Sequence, residues 1–167
     1  MGFNTVIEGR MKIQILTLFL IICLTGPAWA RLGETEEQLI ARYGQETGKE
    51  SGSIWNKAVP DCIQFQKSGF FIVVWLLNGI SSEEYIAKND YIREGKHDPL
   101  TPDETKTLID ANAQGHVWHK VKSGTKWLRD DGAIAVGSET GFDVKSKELM
   151  DANTAASKPV PSSLKDF

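Results

Sequence analysis

The sequence predicts an α+β domain: antiparallel sheet meanders with two or three short helices packed on one face. Three observations predict it. Helix-start signals open three short amphipathic stretches, and short apolar runs rich in β-branched and aromatic residues lie between them. Two-residue turn signals such as Asn78-Gly79 punctuate those runs, and such turns join antiparallel strands.

The first thirty residues of the 167 read as an address, outside that domain. "MKIQILTLFLIICLTGPAWA" has a charged start at Lys12, an apolar run from Ile15 to Leu24, a Gly26-Pro27 break and an Ala28-Trp29-Ala30 ending. That is the grammar of a cleaved export signal, with an apolar core too short to span a bilayer. Met1 to Arg10 is polar and fits a leader poorly, so Met11 is the expected start. Ile21-Ile22 before Cys23 do not make a lipidation site, so no membrane anchor is expected and the mature chain is secreted or periplasmic.

Cleavage after Ala30 leaves Arg31 to Phe167, with residues 31–157 as one domain and 158–167 as a mobile tail. It removes two of the 19 basic residues (Arg10, Lys12) and one of the 22 acidic ones (Glu8), leaving a net charge of −4. A mildly acidic domain gives no electrostatic reason to expect nucleic acid as a partner. Only Cys62 remains of the two cysteines, so no internal disulfide can form and the apolar core must carry the fold. In its strand-like setting it reads as a small buried hydrophobe.

Each element has its own signals. In "GETEEQLIARYG" Thr35 and Gln38 form a capping box, Leu39, Ile40 and Tyr43 share a face, and Gly44 ends the helix. A polar, glycine-rich loop follows, with Trp55 as its anchor. Ile63 and Phe65 alternate with glutamines as in a half-exposed strand, and Ser68-Gly69 turns the chain. "FFIVVWLL" (70–77) is apolar on both faces and is the expected central, most buried strand. "ISSEEYIAK" (80–88) is ambiguous between strand and helix, although the tight turn before it favours a strand. In "LTPDETKTLIDANAQG" Thr101 caps, Pro102 takes the first helical position, Glu104 completes the box and Gly115 stops the helix. Short strands "VWHKV", "KWLR", "AIAVG" and "FDVK" come next, and Ser146 starts a last helix. The order helix, meander, helix, meander gives the chain a two-part character.

The front half, "GETEEQLIARYG" with "FQKSGFFIVVWLLNG", resembles small outer-membrane-assembly lipoproteins and the beta-lactamase-inhibitor-protein fold. Those families imply helices packed on such a sheet, and protein binding in place of catalysis. The back half is similar to small secreted bacterial proteins with a "W…W.R.DG..A" pattern, here Trp118, Trp127, Arg129, Asp131, Gly132 and Ala135. That group implies no activity.

Catalytic signatures are absent from the sequence: it has no G-x-S-x-G elbow, phosphate loop, H-E-x-x-H or calcium loop. No catalytic residue, cofactor or metal is therefore assigned. Asp130-Asp131-Gly132 reads as a turn. Glu83 and Glu84 point opposite ways on a strand and cannot form a close pair there. His116 and His119 are three apart, which on a strand also separates them, and further ligands would have to come from His97, Cys62 or a carboxylate.

The densest stretch is "GHVWHKVKSGTKWLRDDG". If its two strands pair across "KSGT", Val121 faces Lys126, His119 faces Leu128 and Trp118 faces Arg129. One face then carries Val117, His119, Val121 and Leu128, the other Trp118, Lys120, Trp127 and Arg129. The plain reading is a hairpin with the first face in the core and the second solvated. The sharper reading makes Trp118, Lys120, Trp127 and Arg129 a partner-binding surface, since tryptophan and arginine are common interface anchors. Two functions stay open: a noncatalytic secreted or periplasmic module that binds a protein or envelope partner through its sheet, and a small envelope-polymer hydrolase with a fold-assembled site.

Overall fold

The computed structural model of the protein describes residues 31–51, 56–88, 98–122 and 124–158. The expectations for the leader, for Trp55, for His97 and for the tail from residue 159 lie outside them. The described elements run α1 (Glu36–Tyr43), β1 (Gly48–Glu50), β2 (Cys62–Lys67), β3 (Phe70–Leu77), β4 (Ile80–Ala87), α2 (Pro102–Ala111), β5 (Trp118–Lys120), β6 (Lys126–Arg129), β7 (Ile134–Gly137), β8 (Phe142–Lys145) and α3 (Lys147–Ala156).

Eight strands form one sheet in the order β1-β2-β3-β4-β8-β7-β6-β5, every neighbouring pair antiparallel. A helix followed by a four-stranded meander thus occurs twice, and the last strand of each meander meets the other at a β4–β8 seam. The seam is tight at Gly141, where a Cβ would sit 2.5 Å from the Ile86 carbonyl oxygen and 3.0 Å from the Tyr85 ring. Local chemistry sets the hairpins. Ser68-Gly69 and Asn78-Gly79 all have positive φ (51°, 82°, 55° and 79°), the backbone of a two-residue turn whose twist matches the strands it joins. After that turn the ambiguous segment is strand, from Ile80 to Ala87.

Both predicted capping boxes are present, Thr35 with Gln38 and Thr101 with Glu104, and Ser146 caps α3. One end differs from expectation. α2 stops at Ala111, ahead of Gly115, because the buried Asn112 turns its amide back onto the Leu108 carbonyl (3.1 Å) and accepts from the Leu32 N–H (3.4 Å). β1 lies inside the predicted loop, since "GKE" has no apolar alternation to reveal an edge strand.

Alternation along β3 divides the core. Ile72 and Val74 point to one cluster with Leu39 and Tyr43 of α1, Leu108 and Ile109 of α2, and Phe65, Phe142 and Val144 of the sheet. Val73 and Trp75 point to a second cluster with Val59, Cys62 and Leu149 of α3. α1 and α2 therefore share a face, and α3 packs on the opposite, outer face. Cys62 is buried there, and burial pushes its thiol pKa up.

The expected centre shifts by one strand. β4, at the seam, has six buried positions of eight against four for β3, although β4 reads "ISSEEYIA". Its serines are buried because other backbone reaches them. Ser81 bonds the 31–34 segment through four contacts: Ser81 N to the Glu34 oxygen (2.7 Å), Gly33 N to the Ser81 oxygen (2.8 Å), Ser81 Oγ to the Arg31 oxygen (3.0 Å) and Glu34 N to Ser81 Oγ (3.0 Å). The β3–β4 register shifts beside these contacts, between Trp75 and Leu76.

Candidate functional site

The hairpin β5–β6 has the predicted register: Trp118 opposite Arg129, His119 opposite Leu128, Lys120 opposite Trp127. Its two faces are reversed from the expectation. Trp118 and Trp127 pack against the main core, and Arg129 is only 6% exposed. Val117 (56%), Leu128 (44%) and Val121 (38%), expected in the core, are exposed together with His119. The physical reason is α2. Its C-terminal end lies beside the tryptophan face, and Arg129 donates to the Asn112 carbonyl (2.5 Å) and Gln114 Oε1 (3.3 Å) there. Arg129 also grips both oxygens of Asp131 (2.8 and 2.6 Å) and lies 5.3 Å from the Trp118 ring centre. Lys120, exposed, sits 5.6 Å from the Trp127 ring centre. Of the four predicted partner-binding residues, the fold brings all four to one face and leaves Lys120 the most solvent-facing.

The outer face of the second meander is built differently. His119, Leu128, Ile134 and Lys145 form one cross-strand row, and Val121, Lys126, Val136 and Asp143 lie along the next. On the same side of the sheet α3 covers the first meander, where Leu149 packs with Val59, Cys62, Val73 and Trp75. At the β5–β6 end Val117, Val121 and Leu128 stay open to solvent.

Sequence reasoning missed one grouping. Asp130 and Asp131, read as a turn, meet His116, and the three offer ligand atoms within 4.8 Å of one another. His116 Nδ1 lies 2.6 Å from Asp130 Oδ1, and Asp130 Oδ2 accepts the Val117 N–H at 3.2 Å. His119 is not part of the group. Asp131 is already held in bidentate fashion by Arg129, whose hydrogen bonds keep its carboxyl below the usual range. A cation there would compete with a guanidinium for the same oxygens. The cluster therefore works as the hairpin's clasp.

The two glutamates of β4 point to opposite faces, as strand geometry requires, and both are buried. On the outer face Glu83 accepts from Lys145 Nζ (2.6 Å) and Asn56 Nδ2 (2.7 Å). Asn153 of α3 donates to Asn56 Oδ1 (2.6 Å) and accepts the Ala58 N–H (2.9 Å). Lys145 also pairs with Asp143 at 3.1 Å. Burial and the neighbouring Asp143 charge raise the Glu83 pKa, while Lys145 opposes them. A carboxylate pair beside a lysine has the parts for acid–base chemistry, yet one Glu83 oxygen is held by Lys145 of β8 and the other by Asn56, which Asn153 of α3 holds in turn.

On the inner face Glu84 is fully buried. It receives the Tyr43 hydroxyl at 3.1 Å, and burial drives its pKa up to about 7, with that hydrogen bond pulling the other way. A raised carboxyl pKa favours the protonated form in the folded state. Its contribution is fully present below the unfolded pKa near 4.5 and is lost as pH rises through about 7. With residue 31 in peptide linkage to residue 30, Glu84→Gln should gain on the order of 2 kcal/mol over wild type between pH 5 and pH 8. Urea midpoints of both proteins at the two pH values measure this. Parallel profiles would show that Glu84 carries no such cost.

Comparison with protein-family models, with curated proteins and with solved structures finds no match to this chain.

Proposed function

We propose that this is an exported, noncatalytic binding module whose protein or envelope partner docks on the uncovered outer face of the second meander. One observation carries the reading. Among the described residues, three of the four exposed large hydrophobics, Val117, Val121 and Leu128, lie on one face of one hairpin, the fourth being Ile80 of β4. An apolar cluster left open beside His119 and Lys126 is how a small interface core with a polar rim looks before the partner arrives. The resemblance of the front half to exported protein-binding folds supports the same class, and the leader grammar supports the compartment.

The exported chain, immobilised and exposed to an envelope extract, tests the reading against a Val117→Asp/Leu128→Asp variant. Both positions are exposed, so the variant should lose no more than about 1 kcal/mol of stability. Its partner should bind at least tenfold more weakly, a loss of about 1.4 kcal/mol or more. Capture at equal strength by both proteins would remove this face from consideration. Release of soluble fragments from purified envelope polymer, abolished by Glu83→Gln, would replace the binding reading with a hydrolytic one.

A further inference from the structure

Glu84 has an unmet need that the chain itself is placed to fill. Its side chain is fully buried between α1 and the sheet, and its Oε1 has no hydrogen-bond partner. Its cross-strand neighbours Val74 and Val144 are apolar and equally buried. The polar and charged groups that face it are Tyr43, Arg42 and Glu34 from α1 and the segment before it, and the backbone of Arg31. Arg42 is committed to Glu34, with its Nε 2.6 Å from Glu34 Oε2. The Arg31 backbone also faces the carboxylate, and with the Arg42 charge it pulls against the effect of burial.

The Arg31 nitrogen is the atom the leader grammar singles out. The Ala28-Trp29-Ala30 ending places the cut between Ala30 and Arg31. Hydrolysis of that peptide bond by a signal peptidase adds one water. The hydroxyl completes the Ala30 carboxyl group, and the Arg31 nitrogen leaves as an amine that is protonated at neutral pH.

We infer that Glu84 is a built site for the α-ammonium group of Arg31, so that removal of the leader completes the core with a buried ion pair. The inference rests on the export reading for the existence of that amine, and on the fold for where the amine lies. The chain start is clamped from both sides. The Arg31 oxygen accepts from Ser81 Oγ (3.0 Å), and Leu32, buried in the core, bonds Asn112 and Gln114 (3.4 and 2.7 Å). Such anchoring is unusual for a terminus, which ordinarily frays. An ammonium supplies three donors where the amide supplies one, enough to reach the orphaned Oε1, and it carries the charge that a buried carboxylate lacks. Glu84 then ionises in place, held by Tyr43 on one oxygen and by the terminus on the other.

The test uses the protein exported by a bacterial host with its own leader, and a second protein with one serine inserted between Ala30 and Arg31. The insertion moves the amine one residue away from Glu84. Glu84→Gln is made in both. The readout is the rate at which a small amine-acylating reagent modifies the α-amine at pH 7, followed by mass spectrometry. In the native chain that amine should react at least tenfold more slowly than in the serine-extended one, since a one-unit rise in pKa alone removes about nine-tenths of the reactive free base. Glu84→Gln should bring the native chain to the extended rate. The pH profile of stability should follow: the loss between pH 5 and pH 8 that Glu84 imposes on an amide-linked chain disappears once the amine is free. Equal acylation rates in native and extended chains would overturn the pairing, even where Glu84→Gln fails to fold. Should the exported protein not begin at Arg31, the export reading fails separately. The same rates, measured on a chain freed at Arg31 by a site-specific protease, then decide the pairing alone.

Discussion

Val74→Asp is expected to remove a large share of the domain's stability. Val74 has no solvent exposure and lies in a cross-strand row between Ile63 and Glu84, with Val144 beyond. The substitution places a second carboxyl directly opposite one that is already buried. Neither can ionise cheaply, and the new one's other cross-strand neighbour, Ile63, is apolar. Burying an unpaired carboxyl in apolar surroundings costs several kcal/mol even after it takes up a proton. A domain of this size has only about 5–15 kcal/mol to lose. Far-UV circular dichroism and urea unfolding measure the loss, expected at about 4 kcal/mol or more. Leu128→Asp is the matched control, the same kind of apolar-to-charged change at a 44% exposed position, where little stability should go. If the two variants unfold at similar urea concentrations, β3 is not covered on both faces and the sheet order described above is wrong.

What the sequence made legible was local. Turn chemistry at Ser68-Gly69 and Asn78-Gly79, the capping boxes at Thr35 and Thr101, and the strands "FFIVVWLL", "KWLR" and "FDVK" all follow from neighbours within four residues, and all are present. The register of β5–β6 followed from the turn between them. What could not be read was which side of that hairpin α2 would cover, because this depends on how Asn112 ends the helix and on Arg129 reaching its carbonyl across seventeen residues. A face with two tryptophans and two cations reads as wet by its charge and as dry by its aromatic area, and only tertiary packing decides between them. The placement of β4 failed for a related reason. "ISSEEYIA" breaks the apolar pattern of a central strand, yet it lies at the seam of the two meanders, where Arg31–Glu34, Tyr43, Asn56 and Lys145 meet its polar groups and leave Glu84 Oε1 unpaired. Positions where pattern and burial disagree this sharply are where a fold holds something other than stability, which is why Glu84 is the group to probe.

Arg129→Ala is expected to cost about 2–3 kcal/mol, chiefly from the buried carbonyl it leaves unpaired and the packing it removes. On the solvated face that the sequence suggests, its loss would cost little. The geometry reverses that premise. Arg129 joins three parts of the second unit: the end of α2 through Asn112 and Gln114, the turn after β6 through Asp131, and the inward tryptophan of β5 through the Trp118 ring. Alanine leaves the Asn112 carbonyl without this donor and the Trp118 ring without its cover. Asp131 suffers less, being a third exposed and free to hydrate. Its carboxyl is nonetheless held below the usual range chiefly by Arg129, so the pair's contribution is present above the unfolded pKa and lost as pH falls through the folded one. The gap between wild type and Arg129→Ala should therefore be widest near neutral pH and narrow in acid. Arg129→Lys should fall between the two, because an ammonium can meet Asp131 or the Asn112 carbonyl but cannot fork to both. Urea unfolding at pH 7 and pH 3, with tryptophan emission reporting the solvation of Trp118, separates these outcomes. A loss below about 1 kcal/mol with unchanged emission would return Arg129 to the surface, and with it the tryptophan face as a place for a partner to bind.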